Sequence, residues 1–123
     1  MFFARVLIIF DWRDGPLEGI LRSEARKECW YFKLIAERFE ESGPDDRIFG
    51  LWGIPNPDAS VLVKEFDSPG DGAHVWPVVG GLGSVEAQGI VDEILSSDRG
   101  EPTLLVRTPD FSEILGVWDV ASH

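Results

Sequence analysis

Cys29-Trp30-Tyr31-Phe32-Lys33-Leu34-Ile35-Ala36-Glu37-Arg38-Phe39 is the stretch from which the fold can be argued. Trp30, Phe32, Leu34 and Ala36 recur at every second position, with Tyr31, Lys33 and Glu37 between them and Ile35 as the exception. Side chains alternate across a strand, so this period predicts a half-buried β-strand. Upstream, Phe2 to Phe10 is a near-continuous run of Val, Ile, Leu and Phe. Such a run reads as a strand buried on both faces. Asp14-Gly15-Pro16 breaks it, and Leu17 to Arg22 is placed to pair back as a hairpin. Ser23 to Glu28 is charged and irregular.

Downstream, Glu40 to Arg47 contains Ser-Gly-Pro-Asp-Asp and reads as a turn. Ile48 to Ile54 is a second apolar strand, ended at Pro55-Asn56-Pro57 because proline removes a ladder donor. Ser60 to Phe66 reads as a strand, with Val61, Val63 and Glu65 opposing Leu62, Lys64 and Phe66. Asp67 to Ala73 reads as an open loop. His74 to Val79 is short, and Pro77 demotes it to an edge or a non-strand. Ser84 to Ser97 is the one predicted helix. Ala87, Ile90, Val91, Ile94 and Leu95 form one apolar stripe, Ser84 is a natural N-cap, and Gly100 can end it. Thr103 to Arg107 and Phe111 to Val120 read as closing strands. The expected fold is therefore α+β: a mostly antiparallel sheet of about six strands, with one helix in the C-terminal half packed on a face. Its stripe is expected against Trp30, Phe32 and Leu34. The whole chain, 1–123, reads as a single domain.

An aromatic content of 11% argues against disorder. Eleven basic residues against 22 acidic ones leave a net charge of −11, with the excess of acid beyond residue 33. A phosphate backbone needs a basic surface, so nucleic acid is excluded as the main ligand. Anionic membranes are disfavoured for the same reason. Val6 to Phe10 is too short for a signal-peptide core or a membrane span. Cys29 is the only cysteine, which precludes an intrachain disulfide and points to a reducing compartment. A cytoplasmic protein is the expectation.

Candidate chemistry is sparse. Asp11-Trp12-Arg13-Asp14-Gly15 follows a strand, where haloacid-dehalogenase-type phosphotransferases place a nucleophile. Those enzymes need a second Asp where Arg13 stands, so the segment reads as a turn. Gly80-Gly81-Leu82-Gly83-Ser84 leads into a helix, but Val85-Glu86 occupy positions a nucleotide loop would give to Gly or Lys. With His74, His123 and one cysteine, no zinc cluster can be drawn and no metal or cofactor is expected. Glu40-Glu41, Asp45-Asp46 and Asp92-Glu93 are adjacent carboxylates that serve solubility. Of five tryptophans, Trp30 fits the core; Trp12, Trp52, Trp76 and Trp118 lie near loops or strand ends.

This small, acidic, histidine-poor composition resembles that of toxin-neutralising immunity proteins and other inhibitors. The resemblance implies a non-catalytic protein that occupies a basic protein partner through acidic steering groups and aromatic anchors. Trp12, Asp14, Glu40, Glu41, Asp45, Asp46, Trp52 and Trp76 are the candidate contact residues. The alternative is a small-ligand binder or hydrolase-like enzyme with a site near Asp11, Asp14 and His74.

Overall fold

The computed structural model describes residues 4–12, 16–23, 28–38, 46–67, 74–76 and 84–107. Eight elements follow in chain order: β1 (Ala4–Trp12), β2 (Pro16–Ser23), β3 (Cys29–Arg38), β4 (Asp46–Gly53), α1 (Asn56–Phe66), β5 (His74–Val75), α2 (Val85–Ser96) and β6 (Leu104–Arg107). The strand order is β5-β1-β2-β3-β4-β6. Strands β1 to β4 form an antiparallel meander, and β6 extends it on β4. The two-residue β5 pairs in parallel with β1 on the opposite edge. The class is α+β, as the alternation in β3 implies.

The N-terminal apolar run is accommodated by bulges. Val6 pairs with Leu21 and Ile8 with Ile20, which leaves Leu7 as an extra residue. An extra residue resets the alternation. Leu7 and Ile8 thus share one face, while Val6 and Ile9 share the other. The same device explains Ile35, the exception in the β3 pattern. It lies at the register shift between Leu34 and Ala36 and is exposed.

Two expectations are corrected. Residues 60–66 are helical, not a strand: α1 runs from Asn56 to Phe66. Ala59, Leu62 and Phe66 are its buried residues, a helical spacing that the alternation of Val61 to Phe66 conceals. Pro57 is one of the first two helical residues, where a missing N–H costs nothing. The motif expected only to stop β4 also starts a helix, so the described residues hold two helices rather than one.

The second correction concerns which face the helices cover. Ala87, Ile90 and Val91 of α2 join Leu62 and Phe66 of α1 in a cluster with Leu7, Ile8, Ile20, Cys29 and Tyr31. Trp30, Phe32 and Leu34 point to the other face, with Val6, Leu21, Phe49 and Leu51. Both faces of β3 are apolar over its first four residues, so its alternation cannot identify the helix-bearing side. The α2 stripe is also narrower than expected. Ile94 is half-buried and Leu95 is exposed.

Tertiary locks tie the helices to the sheet. Arg5, Arg22 and Cys29 sit in one cross-strand row. The two like charges are bridged by Asp67 at the end of α1, at 3.2 Å from Arg5 and 2.8 Å from Arg22. At α2, Ser84 Oγ accepts from Ala87 N at 3.1 Å, the expected N-cap. Its last turn lacks a basic residue, and Ser96 and Ser97 hydroxyls donate to the Glu93 carbonyl instead. Gly100, with φ of +64°, turns the chain towards β6 three residues after the helix cap, rather than ending the helix itself. No helix among the described residues is long and apolar enough to cross a membrane.

Candidate functional site

The helix-bearing face of β3 and β4 opens into a cavity of about 380 Å³. Tyr31 and Trp52 form its floor. They are directly opposed cross-strand partners, so they emerge on the same face. Their ring centroids are 5.6 Å apart. Ile90 and Glu93 enter from α2, Asp58 from the first turn of α1, and Arg99 and Glu101 from the α2–β6 link.

Arg99 organises one wall. Its guanidinium lies 4.0 Å from the Tyr31 ring centroid, a cation–π geometry. Its Nη1 donates to the Ser97 carbonyl at 3.2 Å, near the negative end of α2. Its Nη2 is buried and makes no hydrogen bond. Trp52 Nε1 donates to the Gly100 carbonyl at 3.3 Å and ties the β4 strand to the same link. The Tyr31 hydroxyl donates to Glu18 Oε2. Burial, and then that hydrogen bond to Glu18, holds the Tyr31 hydroxyl protonated well above the ordinary phenol range.

The electrostatics of the rim are lopsided. Asp58, Glu93 and Glu101 face a single guanidinium, and none of the three has an ion-pair partner among the described residues. An aromatic floor and carboxylates without ion-pair partners among the described residues can together hold a group with a flat, positively charged end. Among the described residues no group of three or more His, Cys, Asp or Glu is placed to hold a metal ion.

Of the expected contact residues, Trp52 lines the cavity. Trp76 does not. Its ring packs edge-on against Phe10 at 6.5 Å and Phe66 at 6.4 Å, beside the helix-bearing cluster. Trp12 ends β1 and Asp46 begins β4. Asp14, Glu40, Glu41 and Asp45 lie outside the described residues, as do residues 77–83 and 108–123, the latter including Trp118 and the strand expected at 111–120. Asp11 is exposed on β1, and His74 on β5 packs edge-on against Phe66 with ring centroids 5.5 Å apart; neither lines the cavity.

The alternation in β3 put Tyr31 on the strand's second face, but nothing marked that face as a floor. Asp58 was hidden by the strand reading of its neighbours. Glu93 reads as a solubility residue on the wet side of α2, and it is exposed. Arg99 and Glu101 carry no local signal at all, because only the turn at Gly100 brings them back over the sheet. Cys29 is buried, and desolvation pushes its thiol up to about 11, against a smaller lowering by Arg22, so it behaves as an apolar core residue. No protein-family model, curated protein or solved structure matches this chain.

Proposed function

We propose that this protein is a non-catalytic acidic binding protein that occupies a basic partner protein, as inhibitors and immunity-type proteins do. One observation carries the reading: the cavity floored by Tyr31 and Trp52 is ringed by three carboxylates without described ion-pair partners. Tryptophan and tyrosine in a partly enclosed pocket supply anchoring area, and rim carboxylates supply attraction for a cation. The chain's net charge of −11 extends that attraction over a longer range. The alternative, a hydrolase-like site near Asp11, Asp14 and His74, would lie apart from this cavity, which Asp11 and His74 do not line.

The test is affinity capture from cells that produce the protein, with wild type and the Trp52→Ala variant, at low and high salt. A basic protein retained at low salt, released at high salt and lost with Trp52→Ala is the expected result. Retention of an acidic protein, or retention indifferent to salt, overturns the reading.

A further inference from the structure

The sheet has a second apolar face, apart from the cavity. Val6, Leu21, Phe32, Phe49, Leu51 and Val106 point to it from five adjacent strands, and none is more than 7% exposed. Both described helices pack on the opposite face. A bare sheet face cannot reach such burial, so a further layer of the chain lies on it. We propose that this layer is residues 110–121, forming a third helix across the face, with Phe111, Ile114, Leu115 and Trp118 seated on it and Asp110 against Arg47.

The occupant follows from elimination and spacing. The burial is that of one chain, and a second copy carrying the same net charge of −11 would be repelled. Of the segments outside the described residues, 13–15, 24–27 and 39–45 join neighbouring antiparallel strands. Residues 68–73 and 77–83 flank β5 and connect it to helices of the opposite face. Only 108–123 combines length with a run of large apolar residues. As a strand beside β6, the segment would widen the sheet and leave its face open. As a helix, Phe111, Ile114, Leu115 and Trp118 stand at the i, i+3, i+4, i+7 spacing of one stripe. Asp110 is a natural N-cap with Glu113 three residues on. Twelve helical residues rise about 18 Å, and five strands span about 19 Å between the outer two.

Arg47 supplies the second observation. It is 8% exposed and emerges from β4 on the side of Phe49 and Leu51. A guanidinium so buried is kept only when paired. The chain leaves β6 at Arg107, which pairs with Ile48, next to Arg47. Asp110 is the first carboxylate beyond that point.

The test is NMR of the full chain with labelled methyl groups. Helical backbone shifts over 110–121 are expected, with nuclear Overhauser contacts from the Phe111 and Trp118 rings to methyls of Val6, Leu21, Leu51 or Val106. Ile114→Asp and Leu115→Asp should each lower the melting temperature by about 10 °C or unfold the chain, because each buries a charge. Val120→Asp, on the far side of the helix, should shift it by less than about 2 °C. A strand predicts otherwise, since it puts Ile114 and Leu115 on opposite faces and Val120 beside Trp118. Asp110→Asn keeps a capping side chain and loses the charge, so it should lower the melting temperature of the wild type and not that of Arg47→Met. Extended or random-coil shifts over 110–121, no ring contact with those methyls, or Val120→Asp as costly as Leu115→Asp overturns the proposal. An equal effect of Asp110→Asn in both backgrounds overturns the pairing with Arg47.

Discussion

At the residue scale, two buried groups respond alike to the same low-dielectric face. Cys29 and Tyr31 both titrate upwards because burial penalises their anions. The sign of the linkage follows. Well below pH 9.0, the thiol's ordinary value, Cys29 is protonated in folded and unfolded chains alike and contributes no slope. As pH rises from there towards about 11, the unfolded chain releases its proton while the folded one keeps it, so stability falls. Cys29→Ala should flatten the loss of stability between pH 9 and 10, read by urea unfolding at each pH. Native Cys29 should also resist alkylation at pH 8 and react once urea unfolds the chain. Trp52→Phe keeps a ring against Tyr31 but deletes the donor to the Gly100 carbonyl. A loss of about 1 kcal/mol in stability is expected, read from the urea midpoint. The backbone at Gly19 is more exacting. A Cβ there would stand 2.2 Å from the Ile8 carbonyl oxygen and 3.0 Å from the Phe32 ring. Gly19→Ala should therefore force β1 and β2 apart locally and cost at least as much as overpacking a core, about 1–3 kcal/mol by thermal or urea unfolding.

At the element scale, the helices are held by few contacts, and each can be tested. Val91 is fully buried between α2 and the sheet. Val91→Asp should cost several kcal/mol, roughly the margin of a domain this size, and abolish the cooperative transition. Leu95→Asp, on the same helix but exposed, should leave the melting temperature within a few degrees. Asp67 bridges two arginines from adjacent strands at the foot of α1. Asp67→Ala should leave those guanidinium groups facing each other and cost about 2–4 kcal/mol by urea unfolding, with Arg5→Gln in the same chain restoring part of it. These elements also show what a single sequence can and cannot carry. Strands β1 to β4 were legible because period two and turn residues are local signals. Helix α2 was legible through Ser84 and the stripe at Ala87, Ile90 and Val91. Helix α1 was not, because Val61 to Phe66 satisfies both periods, and only the positions of Ala59 and Pro57 break the tie. The covered face was not legible either, since Cys29 and Tyr31 are as apolar as Trp30 and Phe32. The cavity escaped for a deeper reason. Its floor is a cross-strand pair, its ceiling a helix that arrives more than 50 residues after Tyr31, and its cation hangs from a link shaped by one glycine. Juxtaposition of that kind is a property of the assembled fold.

At the scale of the whole molecule, charge is distributed over two places that should govern different rate constants. The rim carboxylates Asp58, Glu93 and Glu101 border the cavity, where a seated group would meet them directly. The acidic segment that the sequence reads as a turn, Glu40, Glu41 and Asp45 with Asp46 at the start of β4, contributes to the long-range field of a chain with net charge −11. Exposed charges are screened beyond about 8–10 Å at physiological ionic strength, so a steering field acts only before contact. Neutralising the turn should therefore slow association with a basic partner and leave dissociation nearly unchanged. Neutralising Glu93 and Glu101 should act mainly on dissociation, because most differences among variants of one interface appear there. Raising salt should mimic the turn variant, not the rim variant. Surface plasmon resonance with the captured partner measures both rates, and circular dichroism confirms that each variant stays folded. A turn variant that dissociates faster while associating normally would place those four residues inside the interface. An association rate indifferent to salt and to all six changes would leave the negative charge with no steering role, and the aromatic cavity would then have to account for recognition by itself.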